Sequence, residues 1–163
     1  MISTLNLIAL FFSTATLTVT SDAFKNGENI PSKYTCEGEN MQPDITVSGI
    51  PSEAKSLALI LDDPDAPNGG FNHWVVFNIP SSESKTITIK EHTGTAGSNG
   101  KAEKKYTGPC PPTGTHHYHF KVYALDMKLD LKEGALKNDV ENAMKGHVIA
   151  QGELIGLYKK MKK

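Results

Sequence analysis

His116-His117-Tyr118-His119-Phe120-Lys121-Val122-Tyr123-Ala124-Leu125 is the stretch on which the fold turns. On an extended backbone, successive side chains point to opposite faces of a sheet. His116, Tyr118, Phe120, Val122 and Ala124 therefore share one face, and His117, His119, Lys121 and Tyr123 share the other. The first set is predicted to look inward and the second outward. Two upstream runs are apolar without a break: Ser56 to Leu61 (SLALIL) and His73 to Ile79 (HWVVFNI). Runs of this length, closed by Asp-Pro or Pro-Ser, fit strands buried on both faces.

Further out, Thr86 to Lys90 alternates and reads as a half-buried strand. Thr16 to Thr20 reads as an N-terminal strand and His147 to Leu157 as a last one. One helix is predicted, because Leu136, Val140, Ala143 and Met144 recur at i, i+4, i+7 and i+8 with Gly146 as a stop. Thr93 to Thr115 holds five glycines and three prolines and reads as a long surface loop. The expected class is mainly β: a Greek-key β-sandwich of antiparallel sheets, with one or two short peripheral helices near the C-terminus. The tail Lys159-Lys160-Met161-Lys162-Lys163 reads as a solvated end.

The chain has 163 residues, enough for one ordinary domain, and a net charge of −1. That balance argues against a nucleic-acid partner, whose phosphates need a dense basic face. All seventeen basic residues are lysines, so an anion here is met by Lys, His or backbone N–H and never by a guanidinium fork. No stretch reaches the roughly 20 apolar residues of a spanning helix. Residues 1–15 read as a secretory signal: the first 21 residues carry no charged side chain, and Ser13-Thr14-Ala15 offers a cleavage site. The alternative is a strand with an apolar start. Residues 16–163 then form a single domain, periplasmic or secreted, in which Cys36 and Cys110 have only each other to pair with.

Three stretches concentrate unusual polar residues. In Asp62-Asp63-Pro64-Asp65-Ala66-Pro67, the carboxylates of Asp63 and Asp65 point the same way if the backbone is extended. Two like charges held close raise one pKa, but the spacing alone favours an acidic turn in which the Asp side chains bond their own backbone. His73-Trp74 heads an apolar strand, where a histidine can be satisfied by a carbonyl. Tyr106 to Gly114 (YTGPCPPTG) runs into His116 and Tyr118. Here Gly108 would let a ligand approach the backbone, and the prolines would stiffen a rim. A zinc site on His117 and His119 is discounted, because Lys121 shares their face and no third ligand stands at a diagnostic spacing. Cys110 activated by His116, with Asp63 orienting the imidazole, is the nucleophilic alternative to a disulfide.

Together DPDAP, HW, Y-x-GPCPP-x-G-x-H-x-Y-x-F-x-VYALD, IPSKYTCEGEN, AMKGH and the closing GxY resemble the phosphatidylethanolamine-binding protein family. The likeness is strongest to its bacterial and archaeal Raf-kinase-inhibitor-like branch and runs from about Thr16 to Tyr158. The resemblance implies a mainly β domain with a small rigid anion pocket made by Asp63, Asp65, Pro67, His73, Gly108, Pro111, His116 and Tyr118. No cofactor and no metal are expected. The resemblance also implies a cis Ala66-Pro67 peptide, and relatives that bind phosphate or phosphorylethanolamine-like groups, inhibit kinases or serine proteases, and often dimerise. Two departures stand out. The family's His-Arg-Tyr is His116-His117-Tyr118 here, which threatens an outer salt bridge. The family's SPPLSW is Gln42 to Val47 (QPDITV), without its tryptophan.

The expected function is an exported small binding protein for a phosphate-bearing or zwitterionic ligand, one that modulates a hydrolase or kinase partner. The ligand's ammonium would meet the two carboxylates, and its phosphate would meet His116, Tyr118 and the Gly108 N–H. A protonated histidine would then supply the charge, so affinity is expected to fall from about pH 5.5 to 8. The alternatives are an inhibitor of a serine protease or other hydrolase, and a metal-independent hydrolase of small phosphoesters.

Overall fold

Strand alternation and one amphipathic helix generate the architecture. In a computed structural model, which describes residues 15–81 and 85–161, the elements in chain order are β1 (Ala15–Thr16), β2 (Thr18–Thr20), β3 (Ile45–Ser48), β4 (Ser56–Asp63), β5 (Phe71–Pro80), β6 (Thr86–Ile89), β7 (Thr95–Ala96), β8 (His116–Leu125), α1 (Lys137–Met144) and β9 (Val148–Tyr158). A 3-10 turn spans Ser32–Tyr34. The large sheet has the order β1-β9-β8-β4-β5-β7, and the small one β2-β3-β6. Pairing between these strands is antiparallel, as expected, apart from the two-residue β1, which runs parallel to β9.

Each face of the large sheet has its own core. Leu57, Leu59, Leu61, Trp74, Val76, Tyr118, Phe120 and Val122 pack against Val19, Ile45, Val47 and Ile89 of the small sheet. Ala58, Ile60, Val75, Phe77 and Leu125 meet Leu129, Val140 and Met144 on the other side, under α1. This is why β4 and β5 read as unbroken apolar runs: a strand covered on both faces has no solvent side on which to place polar residues. β8 alternates as expected, with His116, Tyr118, Phe120, Val122 and Ala124 buried and the residues between them partly or wholly exposed.

The differences from expectation have local causes. The strand expected over Thr16–Thr20 is divided at Leu17, whose N–H donates to Gln151 O, and there the chain passes from the large sheet to the small one. Leu136 is the N-cap of α1 rather than a core residue, and its N–H donates to Asp139 Oδ2. Only Val140 and Met144 of the helix are buried. β3 is an additional strand: Ile45 and Val47 of the QPDITV stretch fill the sandwich directly. The segment 93–115 is no surface loop throughout. It supplies β7 and buries Ser98, Asn99, Tyr106 and Thr107. The proposed signal segment lies outside the described residues apart from Ala15. Among the described residues no helix is long and apolar enough to cross a membrane.

Candidate functional site

The site stands at one end of the large sheet, where β4 ends and β5 and β8 begin. Alternation places Asp62 and Asp63 on opposite faces. Asp63, in step with Leu57, Leu59 and Leu61, falls on the sandwich side. His73 would fall on the α1 side with Val75 and Phe77, but a bulge intervenes: Leu61 pairs with Trp74 and Asp62 with Asn72, leaving His73 unopposed. A bulge re-aims the side chain it carries. His73 therefore packs edge-on against Tyr118, with ring centroids 5.2 Å apart, and against Phe71 at 4.7 Å.

These groups line a cavity of about 370 Å³ with Ala66, Pro67, Asn68, Lys101, Thr107, Gly108, Cys110, Pro111, Pro112 and His116. Asp63 is its organiser. Asp63 Oδ1 accepts the Asp65 N–H at 3.0 Å, the Asx-type turn foreseen for an acidic loop. Asp63 Oδ2 accepts the His116 Nδ1–H at 2.7 Å, and His73 Nε2 lies 4.0 Å away. With Nδ1 committed to a carboxylate, His116 keeps Nε2 for the cavity. His73 donates Nδ1–H to Thr107 O at 2.7 Å and accepts the Thr107 N–H on its own carbonyl at 2.9 Å. Burial pushes the His73 pKa down, and Thr107 and Asp63 oppose that shift. Its neutral form, with Nε2 unprotonated, is thereby favoured. The Tyr118 hydroxyl is buried with no partner at hydrogen-bond geometry. Burial first and the Asp63 charge second push its pKa well up, so it stays a neutral donor.

The rim is fastened from behind. Cys36 and Cys110 form a disulfide, Cys36 N–H donates to Pro109 O, and Tyr106 OH donates to Tyr34 O. Nucleophilic chemistry at Cys110 is thus replaced by a structural bridge. Gly108 is needed here for a reason other than ligand approach: a Cβ would sit 2.5 Å from Tyr34 O and 2.6 Å from Asn40 Oδ1. The Gly108 N–H is also taken, by Asn40 Oδ1 at 2.7 Å, and is no phosphate donor.

Of the eight residues singled out from sequence, Asp63, Pro67, His73, Gly108, Pro111, His116 and Tyr118 line the cavity and Asp65 does not. Asp65 turns outward to His117, accepting both its backbone N–H at 2.8 Å and its Nδ1–H at 2.7 Å. At the position where an outer salt bridge was expected to be lost, an imidazole and its backbone N–H hydrogen-bond to Asp65. The His117 hydrogen bonds push the Asp65 pKa down, the reverse of a like-charge carboxylate pair. His119 likewise donates Nδ1–H to Glu153, so neither histidine of the discounted zinc pair is idle. The Ala66-Pro67 peptide is trans. The chain reverses instead through Asn68, Gly69 and Gly70, whose φ values are 61°, 90° and 106°, and so needs no cis bond. Sequence reasoning missed Phe71, Asn40, Thr107 and Lys101. Thr107 lies in the Tyr106 to Gly114 stretch, Asn40 ends IPSKYTCEGEN and Phe71 stands two residues from His73, so only Lys101 left no signal.

With Asp65 turned away to His117 and each Asp63 oxygen already accepting a hydrogen bond, the pair of carboxylates expected to meet a ligand's ammonium is not assembled here. The site can instead accept hydrogen bonds from, and donate them to, a small oxyanion through His116 Nε2 and Tyr118 Oη.

The comparisons agree with this architecture. The family model described as phosphatidylethanolamine-binding protein matches residues 20–159. A UPF0098 protein of Methanothermobacter thermautotrophicus is 48% identical over 147 residues, covering 85% of this chain and 95% of that protein. A UPF0098 protein of Aquifex aeolicus is 46% identical over 154 residues, 90% of each chain. Among solved structures, the PEBP homolog CT736 of Chlamydia trachomatis superposes with a TM-score of 0.83 at 41% identity, covering 91% of this chain and all of that one. E. coli YbcL, described as a member of the mammalian PEBP family, gives 0.80 at 33%, covering 90% and 100%. The chain belongs to the phosphatidylethanolamine-binding protein family, in its bacterial and archaeal branch.

Proposed function

We propose that this protein is an exported binding protein that holds a small phosphate-bearing group in the Asp63–His116 cavity without turning it over. The observation that carries the reading is His116, fixed through Nδ1 to Asp63 so that Nε2 faces a preformed cavity beside the unpartnered Tyr118 hydroxyl. The Tyr118 O–H as donor and His116 Nε2 as acceptor, with Nδ1–H committed to Asp63, suit a phosphate group that carries both oxygen acceptors and a P–O–H, and both are held ready before binding. The stiff Pro111-Pro112 rim and the disulfide behind it keep the cavity open in the absence of ligand. The same disulfide supports export, since such bridges persist in oxidising compartments.

The test is calorimetric titration with phosphorylethanolamine of the wild type, His116→Ala and His116→Gln. Saturable one-to-one heat in the wild type that is lost in both variants, with the ligand recovered intact, is the expected result. Release of inorganic phosphate would move the assignment to the hydrolase reading. Absence of heat in the wild type would turn attention to a protein partner on the rim.

A further inference from the structure

The cavity has one cationic side chain of fixed charge, and sequence reasoning overlooked it. Lys101 is the only lysine among the lining residues, and the chain has no arginine to share the task. The residue is exposed, and the backbone that carries it is held in place. Asn99 Oδ1 accepts the N–H groups of Lys101 at 2.9 Å and Glu103 at 3.1 Å, and Asn99 Nδ2 donates to Lys105 O. The Gly100 N–H donates to Asn72 O, and Asn72 Nδ2 donates to Ser98 O, which fastens the loop to the start of β5 next to His73. The other lysines of this loop are spoken for: Lys104 meets Glu133 at 2.9 Å and Lys105 meets Glu103 at 3.6 Å. Among the described residues, no carboxylate lies within ion-pair distance of the Lys101 ammonium.

We propose that Lys101 is the residue that neutralises the ligand's negative charge, so that the cavity selects phosphomonoesters and phosphodiesters over neutral analogues of the same shape. This inference rests on the phosphate-binding reading above and assigns to a lysine the charge first expected from a protonated histidine. The groups facing the cavity are consistent with it. Asp63 has both oxygens occupied, burial keeps His73 toward neutrality, and Tyr118 contributes a donor without charge. The positive field of Lys101 itself reaches His73 and works against its protonation.

The experiment titrates wild type, Lys101→Gln, Lys101→Arg and Lys104→Gln with inorganic phosphate, with phosphorylethanolamine, and with vesicles of phosphatidylethanolamine, which separates a soluble ligand from a lipid headgroup. Removing a charged hydrogen-bonding partner is expected to weaken binding about tenfold or more in every arm where the wild type binds. Lys101→Arg should restore most of the affinity, and Lys104→Gln should leave it unchanged. In the ligand-free protein, Lys101→Gln should raise the His73 pKa read by NMR, a shift that a merely structural role would not produce. Wild-type binding that Lys101→Gln leaves intact, or that Lys104→Gln weakens as much, overturns the lysine assignment while the cavity reading stands. A wild type that binds none of the three probes overturns both.

Discussion

Asp62 and Asp63 are adjacent in the chain and belong to different proteins in all but sequence. Asp62 faces α1 and holds Lys137 with both oxygens, at 2.7 and 2.8 Å, and Lys121 at 3.5 Å. All three side chains keep some contact with water. Asp63 faces the sandwich, is 3% exposed, and spends one oxygen on the Asp65 N–H and the other on His116. A strand reversal of faces thus separates an ion pair that ties helix to sheet from a carboxylate that orients an imidazole toward a cavity. Lysine partners carry fixed charge and can return to solvent if abandoned. Histidine partners are titratable and, here, buried.

The contrast breaks if the same substitution does the same thing at both positions. Asp63→Ala strands the His116 Nδ1–H and the Asp65 N–H in a dry site and is expected to destabilise by about 3 kcal/mol in chemical unfolding. Asp62→Ala, whose lysines can rehydrate, should lose under about 1 kcal/mol. Equal losses at the two positions would refute the division. A second measurement asks how much of the Asp63 side depends on its rear wall. The Cys36–Cys110 bridge spans 74 residues of sequence, and the paired Ser variant should lose about 2–4 kcal/mol. Ligand affinity should fall with it, because Cys110 lines the cavity, whereas the Asp62–Lys137 pair should keep its coupling energy in a double-mutant cycle.

The sequence made the strands and their faces legible wherever periodicity governs. The split of β8 into inward and outward residues is as the alternation required, and seven of the eight expected cavity residues gather at one end. What periodicity cannot express was not legible. The His73 bulge changes a face without changing a residue type. The crossing at Leu17 depends on which sheet lies beside each half of the strand. Lys101 reaches the cavity only because Asn99 and Asn72 fold its loop, a set of side chain to backbone bonds that leaves no spacing signature. The resemblance puts Asp65 in the pocket, and spacing alone cannot tell an extended backbone from a turn; here the chain turns at once, and the Asp65 carboxylate meets His117 outside the cavity lining.

Titration sharpens the comparison further. His73 is held below its ordinary value of 6.5 by burial, so the unfolded chain takes up the proton at a higher pH than the folded one. Its contribution is fully present above about pH 6.5 and is lost as the pH falls from there through the folded value. The unfolding free energy should drop on going from pH 7 to 5, and the slope should flatten in His73→Gln. A slope unchanged by that variant would show that His73 charges freely in the folded state.

The smallest effect belongs to the third carboxylate, and its sign has a different origin. Asp65 is also lowered, but because His117 stabilises its charged form, not because burial penalises one. Its contribution is present above the ordinary carboxylate value of 3.8 and disappears as the pH falls through the lower folded value, a window well separated from that of His73. The pair is half exposed, with side-chain accessibilities of 53% and 41%, so water screens most of the attraction. His117→Ala should therefore change stability at pH 7 by less than about 1 kcal/mol and return the Asp65 pKa toward 3.8 in an NMR titration. Because Asp65 does not line the cavity, ligand affinity should be unaffected. A loss of affinity in His117→Ala comparable to that in His116→Gln would place Asp65 back in the binding site and erase the distinction between the inward and outward imidazoles of β8.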